Sequence, residues 1–353
     1  MDEEREKINL SIDLTKEWER GKSFLQVLNE PKPIVGETTK QVVWKKNKAQ
    51  LWYYPADKKK FQVPVFQVYS LVNKSYILDL APGASITEAL VKSGYDVYLL
   101  DWGVPGYEDK DLSLDNYIID YLQAGVKHAL RHSKAEEISI IGYCLGGTLA
   151  AIYTAIADEP IKNFIGIAVP IDLSHVPYYE NWAEEFRLGN IDIDHIIDAY
   201  GLIPATLVEM GVRAVTSPLY FSHYFSLLNR VHNDQFVQRW RKMNMWTNDH
   251  IPFAGETLRQ LAKDLVRDNK LVKGELIIRN KQVDLKNIKV NLLVISTSLD
   301  TIVPKELSLP IMNLVSSIDK TYKFVEGGHV SLILKGGIPD FLDHWLAERS
   351  SSL

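Results

Sequence analysis

From Ser139 to Ala157 the chain carries no charged side chain, and Gly142, Gly146 and Gly147 fall inside that stretch around Cys144, the only cysteine of the sequence. The run is long enough to imitate a membrane span. The clustered glycines, with Tyr143, Thr148 and Tyr153 beside them, argue instead for three pieces: a buried strand over Ile138 to Ile141, a tight turn at Cys144, and a buried helix over Thr148 to Ala157. A buried strand that runs straight into a buried helix needs cover on both faces. A mostly parallel sheet with crossover helices supplies that cover.

The rest of the chain fits such a sheet. Gln41-Val42-Val43-Trp44 and Gln50-Leu51-Trp52-Tyr53-Tyr54 read as two early strands around the basic loop Lys45 to Lys48. Val63 to Leu71 reads as a strand, and Tyr76 to Leu80 as a second apolar segment. Ser85-Ile86-Thr87-Glu88 has the form of a capping box, with a helix that stops at Gly94. Val97 to Leu100 is the next strand. Leu114 to His132 reads as one long helix, with Ile118, Leu122 and Val126 on one face. After the strand Phe164 to Val169 the alternation stops. Residues 172–285 read mainly as helices rich in aromatics, including Tyr178, Tyr179, Trp182, Tyr220, Phe221, Trp240, Trp246 and Phe253. Alternation resumes with the strand Val290 to Ile295, a helix near Pro304 to Ile318, the strand Tyr322 to Val325 and the helix Asp340 to Arg349. The expected organisation is an N-terminal amphipathic segment (1–40), with Trp18, Phe24, Leu25 and Val27-Leu28 on one stripe. An α/β core (41–171 and 286–353) follows, with a helical cap (172–285) inserted after the strand that follows the Cys144 helix.

Gly142-Tyr143-Cys144-Leu145-Gly146-Gly147 fits Gly-x-nucleophile-x-Gly, the nucleophile elbow of α/β-hydrolases, with cysteine in place of serine. The sharp turn leaves no room for side chains beside the nucleophile, hence the glycines. The following helix points its positive end at the sulfur and favours a thiolate. The Leu145 amide then faces a developing oxyanion. The fold class expected is therefore α/β, of the α/β-hydrolase type.

A thiol nucleophile needs a base, and the base needs an orienting group. Among nine histidines, His329 stands just after the last predicted strand and before the C-terminal helix, where the order nucleophile–acid–histidine places it. His175 is its rival. Asp300, at the end of the strand Val290 to Ile295, is the preferred acid. Asp172 is the runner-up, with a loop cap or a cap anchor as its other reading. The turn after the early strand supplies Val72 as the second backbone oxyanion donor. No metal cluster, phosphate-binding glycine loop or bound cofactor is expected.

Lysine and arginine total 40 against 45 acidic residues, a net charge of −5. That balance excludes a dedicated nucleic-acid binder, which needs a basic face. The single cysteine excludes an intramolecular disulfide framework. The charged start, Met1 to Lys7, has no apolar signal core, so a cytoplasmic protein without a membrane span is expected.

Five segments together resemble the catalytic subunit of polyhydroxyalkanoate (PHA) synthases. They are Tyr69 to Gly83, Asp96 to Gly103, Gly142 to Gly147, Ile251 to Glu256, and Gly328-His329-Val330-Ser331. The resemblance runs from about Val42 to Arg349. The chain is similar in length to the short two-subunit enzymes. Pro252 to Glu256 and Val283 to Lys289 look most like the Bacillus-type class IV subunit, with class III next. The resemblance implies the triad Cys144, Asp300 and His329, and polymerisation of 3-hydroxyacyl coenzyme A thioesters, 3-hydroxybutyryl above all, into a polyester. It implies a small R-type or E-type partner subunit, a homodimer or hetero-oligomer, and a place at the surface of cytoplasmic polyester granules. One position departs from the family: Thr301 stands where the family commonly has histidine after the acid. Two other readings stay open. One is a cysteine-dependent hydrolase or thioesterase on the same fold. The other is a non-catalytic granule-binding protein.

Overall fold

The computed structural model describes residues 14–334 and 339–353. The charged first residues, 1–13, lie outside the described residues, as do the side chains of Tyr220 and Phe221.

Eight strands form one sheet: β1 (Gln41–Lys46), β2 (Ala49–Tyr54), β3 (Val65–Val68), β4 (Val97–Asp101), β5 (Ile138–Tyr143), β6 (Ile161–Ile167), β7 (Asn291–Thr297) and β8 (Lys320–Val325). Their spatial order is β1-β2-β4-β3-β5-β6-β7-β8. β1 and β2 form an antiparallel hairpin and β2 runs antiparallel to β4. Every later pairing is parallel. The β1–β2 turn uses Asn47 at φ 51°, a conformation asparagine tolerates better than most residues, so the expected basic loop shrinks to two residues.

The strand interiors explain why the sheet sits between helical layers. Ile138 and Ile140 of β5 join the apolar cluster on one face, with Leu292 and Val294 of β7. Ile141 and Tyr143 join the cluster on the other, with Leu293 and Ile295. Both faces are covered, as the charge-free sequence requires, and each fully buried Leu or Ile contributes about 1.5–3 kcal/mol.

Helix α1 (Leu14–Asn29) precedes the sheet. Helices α2 (Ile86–Ser93), α3 (Ala124–Ser133) and α4 (Leu145–Ile156) connect the parallel strands. The expected long helix from Leu114 begins instead as a π-helix over Asn116–Gln123 before it becomes α3. Ser85 caps α2 by accepting from the Glu88 amide at 2.9 Å. Glu88 does not return to Ser85. Its carboxylate takes the Gly83 amide at 2.8 Å, because Ser85 is paired with Asp79 in a small antiparallel ladder. Gly94 closes α2 at φ 106°. The expected strand from Val63 to Leu71 is only Val65–Val68, and the chain leaves the sheet at Tyr69. The expected helix near Pro304 is two single turns, Lys305–Ser308 and Ile311–Leu314, split at Pro310, which has no N–H to continue the helix.

Between β6 and β7 the chain is mostly helical: α5 (Glu180–Arg187), α6 (Ile193–Tyr200), α7 (Ala205–Arg230), α8 (Asp234–Thr247) and short helices after Ala254. Two small antiparallel pairs interrupt it, Leu202–Ile203 with Phe253–Ala254 and the hairpin Leu276–Ile278 with Lys281–Val283. The second pair adds Leu276, Ile278 and Val283 to the α4 face of the main core. The single expected stripe on α1 divides. Phe24 and Val27 pack on Leu227, Val231 and Trp240, while Trp18 and Leu25, two turns apart, face solvent. No described helix is long and apolar enough to cross a membrane.

Candidate active site

The C-terminal ends of β3, β5, β7 and β8, with β6 between β5 and β7, face one rim of the sheet and deliver one loop each to it: Tyr69 to Lys74, Cys144, Asp300 and His329. Open parallel sheets place their ligands at this rim.

Cys144 follows β5 and caps α4 at φ 52°, ψ −133°. A non-glycine residue there costs about 1–3 kcal/mol, which the surrounding packing must impose. Its amide stays in the sheet, donating to the Ile167 carbonyl at 3.0 Å, and its carbonyl takes the Gly147 amide at 2.8 Å. The glycines are needed for space. A Cβ on Gly142 would strike Gly147, and one on Gly146 would strike the backbone of Val68 and Tyr69. The elbow is thus pressed against the loop that leaves β3. α4 begins at Leu145, three residues earlier than the sequence pattern suggests, so the Leu145 amide is the first of the helix and has no intrahelical acceptor.

Asp300 is 4% exposed. Its Oδ1 accepts from the amides of Ile302 at 2.9 Å and Val303 at 2.8 Å. Its Oδ2 lies 2.8 Å from Nδ1 of His329. The two loops are stitched together: Ser298 donates its amide to the Val325 carbonyl at 3.0 Å, and Leu299 to the Gly327 carbonyl at 2.8 Å. With Nδ1 engaged by the carboxylate, the other ring nitrogen is left for Cys144, whose side chain interacts electrostatically with the imidazole. Burial works against a charged imidazole here. The electrostatic interaction with Cys144, then the Asp300 hydrogen bond, overcome it and push His329 up to about 10. The structure therefore bonds His329 to Asp300 and sets Cys144 near enough to the imidazole to shift its titration.

The rivals stand elsewhere. Asp172 Oδ1 accepts from the Ser174 amide and from Asn269 Nδ2, each at 2.9 Å, so it ties the start of the inserted region to its end. His175 is exposed and pairs with Glu180 at 3.0 Å. Val72 lies in the loop after β3, where its amide donates to Ser70 Oγ at 3.2 Å. The inserted region clamps this loop. Ile251 donates to the Val72 carbonyl at 3.2 Å, Trp246 Nε1 to the Lys74 carbonyl at 3.0 Å, and Lys74 pairs with Asp249 at 3.0 Å. No group of three or more potential metal ligands occurs among the described residues.

Two tyrosines carry no signal in the sequence pattern. The Tyr143 hydroxyl donates to the backbone carbonyl of His329, and the Tyr179 hydroxyl to that of Thr301. Tyr143 occupies a variable position of the elbow pattern, so the pattern itself gives it no role. Tyr179 stands beside α5. With Leu173, Val176 and Ala183 it joins the apolar cluster of Val303 and Leu307, against which Cys144 also packs.

The alpha/beta hydrolase fold family model matches residues 79–336. The chain is 32% identical over 354 residues to the poly(3-hydroxyalkanoate) polymerase subunit PhaC of Synechocystis sp., covering 98% of this chain and 93% of that one. The chain belongs to the PhaC family of poly(3-hydroxyalkanoate) polymerase subunits. It is also 34% identical over 328 residues to the PhaC of Haloferax mediterranei, covering 90% of this chain and 65% of the relative, so it spans somewhat less than two thirds of that protein's length. The PhaC of Allochromatium vinosum is 29% identical over 338 residues, with 93% and 94% covered. Among solved structures, a monoglyceride lipase from Saccharomyces cerevisiae superposes with a TM-score of 0.55 at 15% identity, over 92% of this chain and 99% of the lipase. That likeness concerns the fold alone. In this PhaC-family chain a cysteine, Cys144, stands at the turn between β5 and α4, and Thr301 follows the carboxylate bonded to His329.

Proposed function

We propose that this chain polymerises 3-hydroxyacyl groups from coenzyme A thioesters, 3-hydroxybutyryl foremost, through a covalent acyl-Cys144. The observation that carries the reading is the His329–Asp300 bond beside Cys144, whose side chain raises the His329 titration, in a chain of the PhaC family. His329 holds the proton taken from Cys144. The thiolate attacks the thioester carbonyl, the bond to coenzyme A breaks, and the imidazolium returns its proton to the departing sulfur. The exchange of one thioester for another is nearly balanced, so acyl-Cys144 remains reactive. The 3-hydroxyl of an incoming thioester then attacks acyl-Cys144, losing its proton to His329. An ester C–O bond forms, the Cys144 C–S bond breaks, and the lengthened chain leaves as a coenzyme A thioester that can acylate Cys144 again. One cysteine per chain favours this route, because a transfer between two thiols would have to cross between subunits.

Leu145 is the first oxyanion donor in this reading. Val72 is the second once its amide exchanges Ser70 for the substrate. The inserted region, 172–285, acts as a cap that keeps water from acyl-Cys144; Leu173, Val176, Tyr179 and Ala183 belong to the apolar cluster on which Cys144 packs. The partner is a small R-type subunit of the class IV arrangement, an E-type subunit being the alternative, and the assembly works at the surface of cytoplasmic granules. The test is incubation with 3-hydroxybutyryl coenzyme A, with and without the partner, following thiol release and insoluble polymer together. Both are expected. Thiol release with free hydroxy acid, and no polymer even with the partner, points to a thioesterase and overturns the reading.

A further inference from the structure

Tyr143 precedes Cys144, and its ring is wholly buried at the end of β5. It reaches across to the loop after β8 in two ways. Its hydroxyl donates to the His329 carbonyl, and its ring meets the imidazole edge-on, with centroids 5.8 Å apart at 85°. The Asp300 bond fixes one ring nitrogen of His329 but leaves the imidazole free to pivot about that bond. A second hold on the His329 backbone removes the pivot. Because Tyr143 is bonded in sequence to Cys144, that hold refers the base directly to the sulfur.

We propose that Tyr143 is a positioning residue for the base: its hydroxyl, through the His329 carbonyl, keeps the imidazole within hydrogen-bond reach of Cys144. The proposal rests on the Cys144–His329 chemistry above. The phenol suits the task, since burial first and the Asp300 charge second hold it protonated and donating. The other titratable groups around the pair are Asp300, Tyr69 from the loop after β3, and Tyr179 from the inserted region.

The test is Tyr143→Phe in the full chain, which keeps the ring and its packing. A misplacement near 1 Å can cost about 100-fold in rate. The expected result is a kcat lower by about 10- to 100-fold with KM within about 2-fold, and a matching fall in the rate of Cys144 alkylation by iodoacetamide at neutral pH. The alkylation is site-specific because the chain has one cysteine. It needs no acyl substrate, so it judges Tyr143 even if wild-type protein makes no polymer, an outcome that would count against the polymerase reading only. Unchanged kcat and alkylation in a folded Tyr143→Phe protein would overturn the proposal. Should that variant not fold, 3-fluorotyrosine placed at 143 keeps the hydroxyl. Its fluorine resonance is expected to follow the titration of His329 and to shift on alkylation of Cys144. A resonance that ignores both would overturn the proposal as well.

Discussion

Asp300 spends one carboxylate oxygen on His329 Nδ1, at 2.8 Å, and the other on the amides of Ile302 and Val303. The carboxylate is thus at once the orienting group of the imidazole and the cap of the loop that carries Thr301. Its two tasks separate experimentally, since an amide side chain keeps an oxygen acceptor for the loop and loses the charge.

Asp300→Asn is expected to fold and to lose about 10²–10⁴-fold in kcat, because the imidazole is no longer held in the right tautomer or stabilised when charged. Asp300→Ala is expected to lose stability too, by about 1–3 kcal/mol, since the buried Val303 amide and the part-buried Ile302 amide lose their acceptor. Steady-state kinetics with urea unfolding on both variants checks this.

Asp172→Asn is the matching control. Its carboxylate holds Ser174 and Asn269 and has no contact with His329. A change in kcat of less than about 10-fold is expected, well short of an orienting acid. A larger loss than in Asp300→Asn would exchange the two assignments.

The pH dependence of stability carries a signed prediction. His329 sits above its ordinary 6.5, at about 10. A group raised in the folded state stabilises it fully below the unfolded value and ceases to do so as pH rises through the folded value. Wild-type stability is therefore expected to fall between about pH 6.5 and about pH 10, a tenfold difference in proton affinity being worth about 1.4 kcal/mol. In Cys144→Ala the strongest raising influence is gone while burial still opposes the charge, so His329 moves down and this fall shrinks. Urea unfolding of both proteins across the range, with imidazole NMR, measures it.

Gly146→Ala is expected to push the Val68–Tyr69 backbone away from the elbow. Overpacking of this kind costs about 1–3 kcal/mol. Because the displaced loop carries Val72, activity is expected to fall more than stability does. Kinetics compared with thermal unfolding decides it.

The strand that meets a helix at Cys144 was legible because a parallel sheet demands an uncharged strand, and the elbow demands glycines, in adjacent residues. Asp300 and His329 were legible as neighbours for the same reason: each follows a strand of the sheet, and the two are hydrogen-bonded. What stayed hidden was set by contacts distant in sequence. Tyr143 and Tyr179 act through backbone carbonyls, which leave no mark on residue choice at 329 or 301. Pro310 split a helix whose apolar pattern runs on across it. Glu88 had two amides in reach, and only the pairing of Ser85 with Asp79 decided between them.

The most direct measurement is mass spectrometry of the protein quenched during turnover of 3-hydroxybutyryl coenzyme A. A covalent acyl-Cys144 predicts a 3-hydroxybutyryl adduct, or longer oligomers, on the peptide that contains Cys144, and neither adduct nor polymer in Cys144→Ala. Polymer made by Cys144→Ala at a rate near that of the wild type would contradict it.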